Sequence, residues 1–459
     1  VNRPLALLVA GTFFMENLDG TIIATAAPAI ADDLGVAPVD VNAAMTGYLI
    51  AVAVGLPISG WLTDRFGARR ILLVAIAIFT VASALCALST ELWMLVGARI
   101  LQGLGGAMMV PVGRLAVLRV TAKSEMIDAI AYLTWPALLA PVIAPLLGGW
   151  IVTVASWHWI FLINIPLGVL AFVVGARIVP AVRAAVAPLD WVGFLLCAGS
   201  LGSLMIGIEL LRPSASGGVE PLLLVAAIAV IILFPATGAW FRRTTHPLLH
   251  FGILRVPSFR VTNVGGSVYR MIISAVPFLL PLMLQVGFGW SAVRAGFFVL
   301  LLFAGNVLIK PATSPLLRGL GFRTVLIGSI VGGALALVAI ALLQPTTPAW
   351  VMAVIFVLSG VFRSIGFSAY NSLQFADIDA ADLADANTLS STLQQVAAGL
   401  GVAVGALLLR LSDEALGTPA SGLITAYGLA FLLLALIMMQ PLVQAIRLHR
   451  SAGDELTRR

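Results

Sequence analysis

Charged side chains are scarce: Asp, Glu, Lys and Arg supply 10% of the 459 residues, against about 25% in an ordinary soluble domain. With 61% hydrophobic residues and a mean hydropathy of +1.08, the composition excludes a soluble globule and predicts a polytopic helical membrane protein. Cysteine is nearly absent. Cys86 and Cys197 both lie in apolar runs, which excludes a disulfide framework and offers no Cys/His spacing for zinc. Gly-x-Ser-x-Gly, His-Glu-x-x-His and phosphate-loop patterns are missing, so neither an enzyme nor a catalytic or metal-ligating set is expected. The loops are short, which argues against a receptor with an extramembrane ligand domain. The isoelectric point near 9.9 comes from cations scattered among short loops, a pattern that bilayer orientation explains and nucleic-acid binding does not. No cleavable leader is expected, because the first apolar segment is long enough to span.

Apolar runs long enough for a hydrocarbon core of about 30 Å predict about fourteen spans. They cover residues 5–30, 41–62, 71–89, 92–118, 127–153, 159–179, 189–210, 219–241, 260–286, 291–310, 323–343, 348–373, 386–410 and 421–446. Loops after even-numbered spans carry Arg65, Arg69, Arg70, Arg119, Lys123, Arg177, Arg183, Arg242, Arg243, Arg255 and Arg318, and the tail carries Arg447, Arg450, Arg458 and Arg459. The opposite loops hold Arg212, Arg294 and Arg410. Both termini are therefore expected in the cytoplasm. Asp377, Asp379, Asp382 and Asp385 break the trend before span thirteen and read as acids favouring the positive end of that helix. Two spans poor in charge, joined by a polar turn at 213–218, read as an insert between two six-span halves. The segment 242–260, with His246 and His250, reads as a linker rather than a metal site.

Glu16 and Asp19 interrupt the first span. A carboxylate near mid-bilayer costs roughly 2.5 to 3.5 kcal/mol on insertion scales, which makes it a functional-site candidate. Three residues apart, the two project from one helix face, where mutual repulsion and desolvation favour binding a proton. The alternative is a structural pair satisfied by an arginine and backbone groups. At 1.5 Å per residue, Asp19 lies about 21 Å along span one from the cytoplasmic end and Arg99 about 10 Å below the outer surface. The two fall near one level, and we expect Arg99 to hold the deprotonated Asp19 until proton or substrate weakens the contact. Arg114, nearer the cytoplasmic end, is expected to snorkel.

Arg270 and Arg363 lie at middling depth in the second half with few acids to pair with. They are expected to reach Glu16 and Asp19, to bond carbonyls freed by Pro277 and Pro281, or to meet an anionic substrate group. Around them Tyr269, Phe278, Phe367, Tyr370, Asn371 and Gln394, with Tyr48 and Trp135 from the first half, suit a broad aromatic and amide-bearing substrate cavity.

The run Gly60, Trp61, Leu62, Thr63, Asp64, Arg65, Phe66, Gly67, Ala68, Arg69, Arg70 resembles the Gly-x-Leu-x-Asp-Arg-x-Gly-x-(Arg/Lys)-(Arg/Lys) gating loop of the major facilitator superfamily. Arg99 through Gln102, Gly103 and Gly105 resembles its Arg-x-x-Gln-Gly-x-Gly motif. Leu18, Asp19, Gly20, Thr21 and Ile22, and the Trp157–Pro166 run containing His158 and Asn164, resemble patterns of its drug:proton antiporters with fourteen spans. Pro145, Gly148 and Gly149 resemble the antiporter motif of span five, with Ala144 replacing its first Gly. Lys310, Pro311, Arg318, Gly319, Gly321 and Arg323 form a weaker echo of the gating loop, expected in the loop after span ten, as internal duplication would give.

The resemblance implies an all-α membrane protein of the major facilitator fold. Residues 1–180 would form an N-terminal six-helix bundle, 181–245 two inserted helices and a linker, 246–446 a C-terminal six-helix bundle and 447–459 a cytoplasmic tail. It also implies a monomeric, proton-coupled exporter of drug-like amphipathic or lipophilic molecules in a bacterial inner membrane. The proton gradient would be the energy source and no cofactor is expected. An exporter of an endogenous metabolite, lipid-like or anionic compound is the alternative.

Overall fold

The computed structural model describes residues 2–37, 40–181, 188–210, 221–416, 425–449 and 452–457. Arg183, Arg212, Arg450, Arg458, Arg459 and the turn at 213–218 lie outside them. The helices are α1 Arg3–Leu34, α2 Asn42–Gly55, α3 Ser59–Phe66, α4 Ala68–Ala87, α5 Leu92–Arg119, α6 Met126–Val154, α7 Trp159–Leu162, α8 Asn164–Ile178, α9 Trp191–Leu210 and α10 Pro221–Arg243. They continue as α11 Pro257–Arg260, α12 Gly266–Leu282, α13 Ala292–Leu308, α14 Lys310–Ala341, α15 Ala349–Leu373, α16 Leu383–Leu416, α17 Ala426–Ile437, α18 Met439–Arg447 and α19 Asp454–Thr457. Thirteen described segments are long and apolar enough to cross a membrane, and Arg294–Leu308 is a shorter apolar helix. Trp93, Leu146, Leu170, Ile231 and Trp350 are exposed; apolar side chains outside and helices that satisfy their own backbone are what hydrocarbon demands.

Local chemistry sets the helix ends. The Asn2 side chain accepts the Leu5 N–H at 3.3 Å. Gly35, at φ +64°, lets the Val36 N–H close on the Ala31 carbonyl at 3.0 Å, a glycine-ended helix terminus. Gly67 (φ 91°, ψ 142°) separates α3 from α4, and Gly321 (φ 75°, ψ 159°) breaks α14 into rods 310–320 and 322–341. Only Ile309 separates α13 from the first rod. Residues 311–320 are thus helical, not the loop that the sequence suggests after span ten, because Pro311 in a first helical turn costs no hydrogen bond.

Two compact units divide the chain. One comprises Val1–Ala122, Tyr132–Phe251 and Asp379–Thr392; the other comprises Lys123–Ala131, Gly252–Ile378 and Leu393–Arg459. In the first, α1, α5, α6 and α7 share a core around Leu18, Ile22, Ile30, Leu95, Ala140 and Phe161. Helices α9 and α10 pack on each other and α9 on α2. Asp190 clamps the pair by accepting the Gly193 N–H at 2.8 Å and the Trp240 indole N–H at 2.9 Å. In the second, α13 and α15 approach backbone to backbone. Gly305 faces the Val357 carbonyl and Gly360 the Leu302 carbonyl, the small-residue contact that membrane helices use.

Candidate functional site

Helix α1 is apolar around Glu16, Asn17 and Asp19, so the polarity of this turn has to be satisfied by neighbouring helices. Asp19 is 1% exposed. Arg99 of α5 donates from Nη1 to its Oδ2, Gln102 donates to its Oδ1 at 2.9 Å and Asn164 of α8 to the same oxygen at 2.7 Å. Gln102 lies one helical turn from Arg99, accepts from it at 2.6 Å and donates to Ser83 of α4 at 2.8 Å. The Cys86 thiol donates to Gln102 Oε1 at 3.7 Å. The guanidinium lies 4.2 Å from the Tyr48 ring centroid. Three helices are therefore tied through one carboxylate, and α4 joins them through Gln102.

Glu16 is placed differently. It is partly exposed and accepts from the Tyr48 hydroxyl at 3.4 Å and from Asn17 at 3.1 Å, both neutral groups. Asp19 is thus held by a cation, whereas the groups from which Glu16 accepts carry no charge.

The gating-loop residues separate by role. A side chain at Gly60 would strike Thr388 and the Ala384 carbonyl, so its absence lets α3 touch the start of α16. Asp64 pairs with Arg119 at 2.5 Å. Arg69 donates to the Ala176 carbonyl, while Arg65 and Arg70 are exposed. The echo in the second unit repeats the arrangement with signs exchanged. Arg318 stands three residues before Gly321, as Asp64 stands three before Gly67, and pairs with Asp128 at 2.7 Å.

Arg114 does not snorkel. At 9% exposure it donates to Asn387 Oδ1 at 2.6 Å and Ser391 Oγ at 2.5 Å, and Asn387 donates to the Pro111 carbonyl at 2.9 Å. Its depth is readable from α5; its partners on α16, more than 270 residues on, are not. Asp385 likewise does more than sit in the first turn of α16. It pairs with His250 at 3.1 Å. That hydrogen bond raises the His250 pKa above its usual value of 6.5, with burial opposing and the Asp385 and Asp382 charges adding. The contact is fully present below about pH 6.5 and is lost as pH rises through the raised value. His250→Gln is therefore expected to lower thermal stability on the acid side of that window and leave it unchanged above. Both side chains are partly exposed, so the difference stays within about 0.2 to 1 kcal/mol. Melting curves across the pH range check it.

Gly148 packs where a side chain would meet Thr25 and Ile22 of α1, whereas Gly149 faces open space. Pro145 lies in α6, its side chain outside the description. Trp135 is 48% exposed.

The cavity residues of the second unit are largely engaged with one another. Tyr269 and Tyr370 are buried with ring centroids 5.3 Å apart, and the Tyr269 hydroxyl donates to the Phe362 carbonyl at 3.1 Å. Arg270 donates to Asn371 Oδ1 at 2.9 Å and to the Thr262 carbonyl at 3.5 Å. Thr262 lies in the wide π turn Val261–Gly265. The Arg270 guanidinium is 5.8 Å from the Phe367 ring, Phe278 packs beside Gly405, and Gln394 donates to Gln374 at 3.3 Å. Arg363 lies 5.6 Å from the Phe303 ring. With Tyr269 and Ser359 it lines a cavity of about 20 Å³, room for about one water. Among the described residues no His, Cys, Asp and Glu cluster could hold a metal ion. Sequence reasoning missed Ser83, Cys86, Asn387 and Ser391. Short neutral side chains carry no cost signal in an apolar run, so only position reveals them.

Comparison with known proteins agrees with this architecture. The model of the Major Facilitator Superfamily matches residues 9–402. The chain is 32% identical over 456 residues to "Probable transport protein HsrA" of Haemophilus influenzae, covering 99% of this chain and 97% of that protein. It is 34% identical over 445 residues to "Putative multidrug resistance protein MdtD" of Salmonella paratyphi A, covering 95% and 93%. The crystal structure of the human organic anion transporter MFSD10 (TETRAN) shares the fold, with a TM-score of 0.70 at 12% identity over 96% of this chain and 99% of that one. This all-α, multi-pass membrane protein is a transporter rather than an enzyme, and it belongs to the Major Facilitator Superfamily.

Proposed function

We propose that the protein is a monomeric antiporter with fourteen membrane crossings and both termini in the cytoplasm of a bacterium. It exports drug-like amphipathic or lipophilic small molecules by alternating access, driven by protons rather than by a bound cofactor. The observation that carries this reading is the enclosed Asp19–Arg99 pair with the more open Glu16 one turn away. Protonation of Asp19 removes the charge that holds Arg99, while Oδ1 can still accept from Gln102 and Asn164, and so loosens α1 against α5. Relatives bearing a multidrug-resistance name support the export of drug-like compounds. One proton entering down about 100 mV releases about 2.3 kcal/mol, enough for a concentration ratio of about fifty for a neutral substrate.

Inverted vesicles loaded with this protein should accumulate amphipathic dyes when the pH gradient is imposed and stop when it is collapsed. Accumulation that ignores the gradient would sink the antiport reading. A second reading, export of an acidic compound, is favoured by the buried cations of the second unit.

A further inference from the structure

Between Glu220 and Asp377 the sequence contains no Asp or Glu, yet it contains Lys310 and nine arginines. Lys310 is the lysine of this set, and it is deep. It is 6% exposed, and Nζ donates to the neutral Ser368 hydroxyl at 2.5 Å. An ammonium carries three N–H donors, so one hydroxyl leaves its charge and its hydrogen-bonding capacity unbalanced. Four residues earlier, Asn306 is 1% exposed and its Nδ2 finds no acceptor among the described residues.

Both residues touch one stripe of α15, Asn306 through its backbone and Lys310 through its side chain. Ser364 donates to the Asn306 carbonyl at 2.7 Å, Ser368 receives Lys310, and Asn371 receives Arg270 at 2.9 Å. Ser364, Ser368 and Asn371 are spaced i, i+4, i+7, which puts them on one helix face. The ammonium from α14 thus meets an α15 side chain that bears no negative charge, and one turn earlier the backbone of Asn306 lies against the same helix while its side-chain amide keeps a spare donor. Buried cations are costly unless paired, and a buried donor without an acceptor calls for an explanation. A water would accept from Asn306 and leave the Lys310 charge uncompensated. A monoanion supplies both charge and acceptors, since a carboxylate has two oxygens and no donor.

We infer that the Asn306–Lys310 turn with the Ser368–Asn371 stripe is an anion-binding site, and that it takes the carboxylate of an amphipathic organic acid. The inference rests on the exporter reading above and narrows its substrate class. The site is enclosed in this structure, so entry requires the helices around it to move, as a transport cycle provides.

The test uses the full-length protein in lipid nanodiscs, with naphthoate and its neutral amide as probes and calorimetry as the readout. The wild type is expected to bind the acid at least about tenfold more tightly than the amide. Lys310→Met should weaken naphthoate binding roughly 10- to 100-fold, the range for a hydrogen bond to a charged group, and Lys310→Arg should retain it. Asn306→Leu, which keeps the charge and removes the spare donor, should weaken it about fivefold, and it decides the matter if Lys310→Met does not fold. Equal binding of acid and amide, or naphthoate affinity unchanged in the folded variants, overturns the site. Gradient-driven export by the wild type, measured with a cationic and with an acidic dye, separates the two readings. Export of either dye alongside equal binding of acid and amide removes the anion site alone. Export of neither removes the exporter reading, and the binding result still decides the site.

Discussion

Asp19→Asn is expected to abolish gradient-driven export and to destabilise the protein by about 3 to 5 kcal/mol, the cost of stranding one partner of a buried ion pair. Arg99 is fully buried, and its guanidinium would be left with Gln102 and the Tyr48 ring as its nearest support, neither of them charged. The loss of function and the loss of stability have different causes, and a second substitution separates them. Asp19→Asn with Arg99→Gln removes both charges at once. That double variant should recover most of the melting temperature, since neutralising a buried pair together is often near neutral, while export stays absent because no group remains to exchange a proton for the Arg99 contact. Detergent melting curves and vesicle uptake provide the two readouts. Wild-type export by a well-folded Asp19→Asn protein would remove this residue from the coupling step.

The parts of this protein that sequence makes legible are those on which the bilayer sets a cost. Apolar runs reveal the helices because hydrocarbon tolerates little else, and Glu16, Asp19 and Arg99 stand out because charges inside spans are rare. Neutral partners carry no such signal. Asn164 reads as one residue of an aromatic run until the fold sets it 2.7 Å from Asp19. Arg114 shows the other limit: depth along α5 is countable, but the face it occupies and the Asn387 that receives it come from packing. The misreading of the stretch after Lys310 has a local cause. Pro311 and the cations after it resemble a loop, while the helix runs on to Gly321, where a positive φ ends it.

Gly148→Ala and Gly149→Ala should behave oppositely, although both substitute the double glycine of one motif. A methyl at 148 enters the space held by Thr25 and Ile22, and a methyl at 149 meets nothing. Overpacking at a close helix contact costs about 1 to 3 kcal/mol, whereas Gly→Ala at an unobstructed helical position is stabilising by about 0.4 to 1 kcal/mol. Ile22 lies one turn beyond Asp19 on α1, so pressure at 148 bears on the turn that holds the carboxylate against Arg99. Export by Gly148→Ala should therefore fall about tenfold or more, the rate equivalent of about 1.4 kcal/mol, while Gly149→Ala exports normally. Thr25→Ala removes the hydroxyl that the new methyl would strike first. It should restore part of the loss in the double variant, giving a coupling energy of about 0.5 kcal/mol or more, as expected for residues in contact. If the two alanines weaken export equally, the glycines act through helix flexibility rather than through the contact with α1, and the link between this motif and the Asp19 turn fails.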